Sequence, residues 1–146
     1  HLVLYNAAGT NLCAAAYDRT AAELTLVVDA KVYWAACNSA EEADYLAAIL
    51  NSGCVNEAIK PLQSMGLLGE RDIHKKVLDL PIPIYDSKNP AHRAIAALGA
   101  KARDASSAHA ASSSLPPSLG RARGALRDAL ASVLADIDGA AGGLLL

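Results

Sequence analysis

The sequence predicts an α+β fold: a small, mostly antiparallel sheet, helices packed on it, and a C-terminal helical hairpin. Three observations predict it. Apolar residues alternate with a period of two up to about residue 37, then recur with a helical period. The early segments are joined by short connections, whereas parallel strands need long crossovers, so the pairing is antiparallel. The second half is rich in alanine, the best helix former. Of the 146 residues 53% are hydrophobic, but much of that is alanine and Phe is absent. The core therefore rests on Leu, Ile, Val, the single Trp34 and the five tyrosines.

Four strands are expected in order. "LVLYN" (2–6) is short and β-rich, "NAAG" turns the chain, and "NLCAAAY" (11–17) forms the second strand. "LTLVV" (24–28) reads as the best strand of the chain, and "KVYWAAC" (31–37) as the fourth, giving a meander. Helical periodicity begins at 38–53, where Ser39 as N-cap and Glu42 three residues later form a capping box. Ala43, Leu46, Ala47 and Leu50 share one face, and Asn51 and Ser52 end this helix and cap the next. That second helix (54–64) carries Val55, Ile59 and Leu62, with Pro61 kinking or ending it. "SMGLLGERD" reads as a glycine-hinged loop, "IHKKVLDL" (73–80) as a short helix, and "PIPIYDSKNP" as an extended connector.

A long helix then starts with Pro90 at its first position, where the missing N–H costs nothing. A break at 112–120 separates it from a helix over 118–138 with Leu119, Leu126, Leu130, Val133, Leu134 and Ile137 as a stripe. "GAAGGLLL" is expected to fray. These features divide the chain into an α+β region, 1–89, and a helical hairpin, 90–146. The apolar stripe of the last helix also offers a dimerisation seam.

Several chemistries are missing from the sequence. It has no phosphate-binding glycine loop, no dinucleotide fingerprint, no H-E-x-x-H and no G-x-S-x-G. Cys13, Cys37 and Cys54 form no C-x-x-C pair and the four histidines are scattered, so neither a metal site nor a catalytic site is expected. Three widely spaced cysteines fit reduced thiols and a cytoplasmic setting. No apolar run is long enough to span a bilayer, and an opening His1 fits a piece of a longer chain. The net charge is −2, so any nucleic-acid contact has to come from local patches.

The stretch "EEADYLAAILNSGCVNEAIKPLQSMGLLGERDIHKKVLDLPIPIYDSKNPAHRAIAAL", preceded by "VVDAKVYWAAC", resembles a known family. It is similar to the C-terminal target-recognition region of adenine-specific DNA methyltransferases of restriction–modification systems, and to the recognition domains of type I specificity subunits. The pieces that carry the resemblance are Glu42–Leu46, Leu50–Ser52, Arg71–Lys76, Leu80–Pro83 and Pro90–Arg93, in that order, within about residues 24–98. The resemblance implies a DNA-reading role inside a longer enzyme that uses S-adenosylmethionine. The family's Asn-Pro-Pro-aromatic catalytic motif is absent here; "KNPAHR" supplies only Asn-Pro. The expected partners are thus duplex DNA and a catalytic domain elsewhere in the same longer chain, which would hold the S-adenosylmethionine; no cofactor is expected in these residues.

Candidate DNA contacts follow from side-chain chemistry. Arg71, His74, Lys75 and Lys76 lie on adjoining positions of one expected helical face and offer long cationic donors to phosphate. Lys60 and Gln63 precede the glycine loop, and the paired donor and acceptor of Gln63 match adenine. Glu70 and Asp72 cancel part of the charge, so a plain solvated face is the competing account of the basic turn. Tyr45 and Trp34 are expected in the core, with stacking on a base as the alternative. Arg121, Arg123 and Arg127 read as a solvated face. The alternative from another class is a protein–protein assembly module without DNA contact.

Overall fold

A computed structural model describes residues 1–21, 25–67, 69–73, 75–112 and 118–145, and the side chains of all of these except 69–71, 76 and 112. The fold is α+β, with a three-stranded antiparallel sheet and helices packed on one side of it. β1 (Leu2–Asn6) lies at the centre, flanked by β2 (Ala14–Tyr17) and β3 (Val32–Ala36), in the order β2-β1-β3. The expected four-strand meander is therefore corrected: the first strand lies between the other two, so the order is not sequential. Residues 25–29 form no strand, and 22–24 lie outside the described residues. The alternation in "LTLVV" records local preference only. Joining the sheet would take a ladder with the outer side of β2 or β3, and residues 25–29 make none. Val3 and Tyr5 face the helices with Ala14, Ala16 and Tyr33, while Leu4 and its cross-strand partner Trp34 stand on the opposite face.

α1 (Ala40–Asn51) begins as the sequence predicts. Ser39 Oγ accepts from the Glu42 N–H at 3.1 Å. The Glu42 carboxylate reaches back one residue beyond the cap, accepting from the Asn38 N–H at 2.6 Å. Ala43, Ala47 and Leu50 are buried on its inner faces, along with Tyr45 and Ile49. Ser52 is fully buried; its hydroxyl donates to the Ile49 carbonyl and accepts from the Val55 N–H, so one residue closes α1 and opens α2 (Gly53–Ile59). Asn51 stitches the sheet to this joint. Its side-chain amide bonds both backbone groups of Ala14, accepting from N–H at 2.9 Å and donating to C=O at 2.8 Å. Asn51→Ala removes both bonds at the edge of β2. We expect a loss of about 2 kcal/mol in denaturant unfolding, with faster amide exchange at Ala14.

After α2 the chain tightens into a 3-10 turn, Lys60–Leu62, instead of continuing to residue 64, because Pro61 cannot supply an N–H to a longer helix. The expected glycine-hinged loop is a β-hairpin, β4 (Ser64–Gly66) against β5 (Gly69–Asp72). The short helix at 73–80 is a 3-10 turn, Lys75–Asp79, rooted by the buried side chains of Ile73 and Val77. The proline segment is neither helix nor strand; it opens on a tight turn, the Ile82 N–H donating to the Leu80 carbonyl at 2.6 Å, and is doubly held. Tyr45 donates its hydroxyl to the Pro83 carbonyl at 2.9 Å, and the Asp86 N–H donates to His92 Nδ1 at 3.0 Å.

α3 (Pro90–Ser112) starts on an Asn89 cap whose carboxamide accepts from the Ala91 N–H. α4 (Leu119–Leu145) runs further than expected: the glycines of "GAAGGLLL" stay helical, with Ala141 fully buried. The two long helices pack against each other, and α3 packs on α1, so the order of layers is sheet, α1, helical pair. Ile95 of α3 and Leu130, Val133 and Ile137 of α4 belong to the same core as Val3 and Tyr5. The Asp138 carboxylate accepts the Gly53 N–H at 2.7 Å, tying α4 to the start of α2.

Candidate nucleic-acid interface

The β4–β5 hairpin is fixed at its base. Ile73 donates its N–H to the Ala7 carbonyl at 3.0 Å, Ala8 and Asp72 form an isolated antiparallel bridge, and Ser64 Oγ donates to Asp72 at 2.7 Å across the ladder. Gln63 donates from Nε2 to the carbonyl of Gly9 at 3.0 Å. Gly9 has φ 135°, a conformation that favours glycine, so the turn that receives the hairpin is itself specified by sequence. At the other end Met65 is 74% exposed and Leu67 fully exposed.

The six candidate DNA contacts fall in three places. Lys60 sits on the 3-10 turn before the hairpin and is paired with Glu57. Gln63 is only 8% exposed, with its amide turned to the Gly9 turn and its Oε1 buried without a partner among the described residues. In this arrangement it positions the hairpin rather than presenting an edge to adenine. Arg71 is on β5, not on a helix with Lys75, so the predicted continuous basic face is replaced by a strand and a separate turn. The physical reason is the ladder with β4, which claims residues up to Asp72 before any helical turn begins. Lys75 and Lys76 open the following 3-10 turn. The side chains of Arg71 and Lys76, and all of His74, lie outside the described residues.

Lys75 stands over an aromatic wall that the sequence did not reveal. Its Nζ is 5.7 Å from the centroid of the Tyr33 ring, and Tyr33 in turn meets Tyr5 with ring centroids 5.5 Å apart. Trp34, expected in the core, is 56% exposed. Strict alternation along β3 carries the signal: if Tyr33 faces inward, Trp34 must face out. A cavity of about 440 Å³ opens here, lined by Tyr5, Tyr33, Trp34, Asp29, Lys75 and Leu78 among others. Tyr5 is held above its ordinary pKa, first by burial and then by Tyr33, so it stays a neutral phenol at physiological pH.

A larger cavity, about 870 Å³, lies between the start of α1, residues 84–87 and α3. Glu41, Glu42, Asp44 and Asp86 ring it, with Arg93 the cation on its wall, and this acidic rim repels phosphate. Burial, then Glu42, pushes the Cys37 thiol up to about 11, and burial pushes Tyr45 up to about 12. Among the described residues no group of three or more His, Cys, Asp and Glu side chains can hold a metal ion, and no helix is long and apolar enough to cross a membrane. Comparison with protein-family models, with curated proteins and with solved structures gives no match to this chain.

Proposed function

We propose that the chain is the DNA-binding, target-recognition part of a larger S-adenosylmethionine-dependent, adenine-specific DNA methyltransferase of a restriction–modification or phage-defence system. The catalytic motif and the cofactor would lie outside these residues. The observation that carries the proposal is the hairpin, bound at its base to the β1–β2 turn, with Met65 and Leu67 exposed near its tip, Arg71 on its second strand, and Lys75 and Lys76 opening the turn that follows. A two-stranded ribbon fits the major groove of B-form DNA, and cations at its base are placed to meet phosphates. The resemblance of Arg71–Lys76 and Leu80–Pro83 to recognition-region motifs supports the same reading.

Fluorescence anisotropy with random-sequence duplex DNA tests it. The intact domain should bind at low salt and weaken steeply as salt rises. The R71A/K75A/K76A triple variant should bind at least about tenfold more weakly, with a salt slope shallower by about one unit for each phosphate contact removed. Equal titrations for the two proteins would sink the proposal. A non-catalytic assembly module is the second reading, favoured by the exposure of Met65, Leu67 and Trp34. It predicts no duplex binding at any salt concentration.

A further inference from the structure

The far end of the helical pair carries a charge pattern that the fold itself does not explain. No described residue between Gly99 and Leu130 is buried, and none beyond Ala105 or before Leu126 packs on the core. The sequence between Asp104 and Asp128 has no acidic residue; apart from His109, its titratable side chains are Arg121, Arg123 and Arg127. All 15 acidic residues lie elsewhere, in a chain of net charge −2. The three arginines are exposed, and no ion pair or side-chain hydrogen bond joins any of them to a described residue.

Their position is unfavourable for the helix that bears them. The start of a helix is the positive end of its dipole, where carboxylates stabilise and cations do not. α4 has no acidic residue in its first turn, yet it carries these three guanidiniums in its opening turns. A placement that opposes local electrostatics, with no internal partner to offset it, fits an anion supplied from outside. Arg123 and Arg127 are neighbours on one helical face. Gly120 and Gly124 lie on that face beside them, and a Cβ at either would meet nothing within 4 Å. The strip is bare backbone flanked by long cationic arms, open to a surface that approaches closely. It is also separate from the β4–β5 hairpin. Asp138 meets the start of α2, and Asn56 of α2 accepts the Leu12 N–H from the β1–β2 connection that roots the hairpin. At about 1.5 Å per residue, Arg127 and Arg121 stand about 16 Å and about 26 Å from Asp138 along α4.

We propose that Arg121, Arg123 and Arg127 form a second contact to the phosphate backbone of duplex DNA, apart from the hairpin. The proposal rests on the nucleic-acid reading above and deepens it with a clamp that holds the duplex without reading it. Guanidinium forks match phosphate oxygens, and contacts of this kind set affinity and register rather than sequence.

Anisotropy titrations of the whole chain with one random-sequence duplex, over a range of salt, compare the wild type with four variants. R121A/R123A/R127A should bind about tenfold more weakly, with a salt slope shallower by up to about three units. Alanine is the best helix former, so this variant should keep or raise its thermal midpoint, which separates lost contact from lost fold. R121K/R123K/R127K retains the charge and should retain most of the slope. R19A/K31A/K88A removes three exposed cations elsewhere and should bind close to wild type. Equal weakening in that control means that net charge alone sets the affinity, and overturns the strip. Wild-type binding by R121A/R123A/R127A, with weakened binding by R71A/K75A/K76A, overturns the strip and leaves the hairpin reading standing. The reverse pattern keeps the strip and overturns the hairpin reading. No duplex binding by the wild type overturns both.

Discussion

Gly99→Ala should destabilise the protein by about 3 kcal/mol, read as a lowered urea midpoint at unchanged slope. A Cβ at Gly99 would stand 2.1 Å from the Asp44 carbonyl oxygen and 2.7 Å from its carbon, both backbone atoms of α1. No rotamer change relieves that contact; α1 and α3 must part by more than an ångström. The contact between these helices buries Ala43, Ala47, Ile95 and Ala96, so parting them loosens the centre of the core. Replacing glycine by alanine in a helix ordinarily adds about 1 kcal/mol, and the clash must exceed this gain. Gly124→Ala serves as the matched control. A Cβ there meets nothing within 4 Å, and the same chemical change should stabilise the protein by up to about 1 kcal/mol. Equal effects at the two positions would refute the close-approach account.

Arg103→Ala should cost about 2 kcal/mol at neutral pH, and less in acid. Asp44 is 4% exposed, and both its carboxylate oxygens lie 2.8 Å from Arg103 Nη1. Two influences oppose each other at this carboxyl. Burial raises its pKa, Arg103 lowers it, and burial wins, so the folded value lies above the ordinary 3.8. A raised carboxyl pKa means that the folded state holds its proton more tightly than the unfolded state. Its contribution to stability therefore declines as pH rises from about 3.8 through the folded value. Removing Arg103 takes away the largest lowering influence and moves that window upward. The charged Asp44 then remains buried without its partner at pH 7, whereas a protonated Asp44 at lower pH does not need one. The Arg103 side chain is 42% exposed, which keeps the loss below the ~3–5 kcal/mol of a fully buried broken pair. Urea unfolding of both proteins at about pH 5 and pH 7 measures the difference. A loss independent of pH would mean that Arg103 acts by packing its stem and not by its charge.

These two contacts mark what a sequence reader can and cannot see. The start of α1 was legible because its signal is local: Ser39, Glu42 and the apolar spacing lie within a few residues of one another. The same holds for Pro90 at the head of α3 and for the strands at 2–6 and 32–36. Strand order was not legible. "LTLVV" carries every local mark of a strand, yet membership of a sheet depends on partners far away in sequence. The hairpin at 64–72 was hidden for the opposite reason. Its glycines argue for a loop, and it is anchored by Gly9 and Ala7, which stand more than fifty residues earlier. Of the proposed contacts, Gln63 has the right chemistry for a base and the wrong address: its amide is turned to the backbone of a turn. Trp34 was assigned by its hydrophobicity, whereas its exposure follows from the face of β3 it occupies. Gly99 looked like one more residue of an alanine-rich helix until the approach of α1 was known.

The bond from Asp138 to Gly53 joins residues 85 apart, and Ile137 beside it is buried in the common core. On the ribosome, then, the sheet and α1 leave the exit tunnel long before the helices that cover α1 have been made. Until α4 arrives, Leu50, Val55 and Ile59 have no complete apolar cover, and the first N–H of α2 has no acceptor. Folding of this domain accordingly waits for α4: the three strands are synthesised before that helix and secured after it.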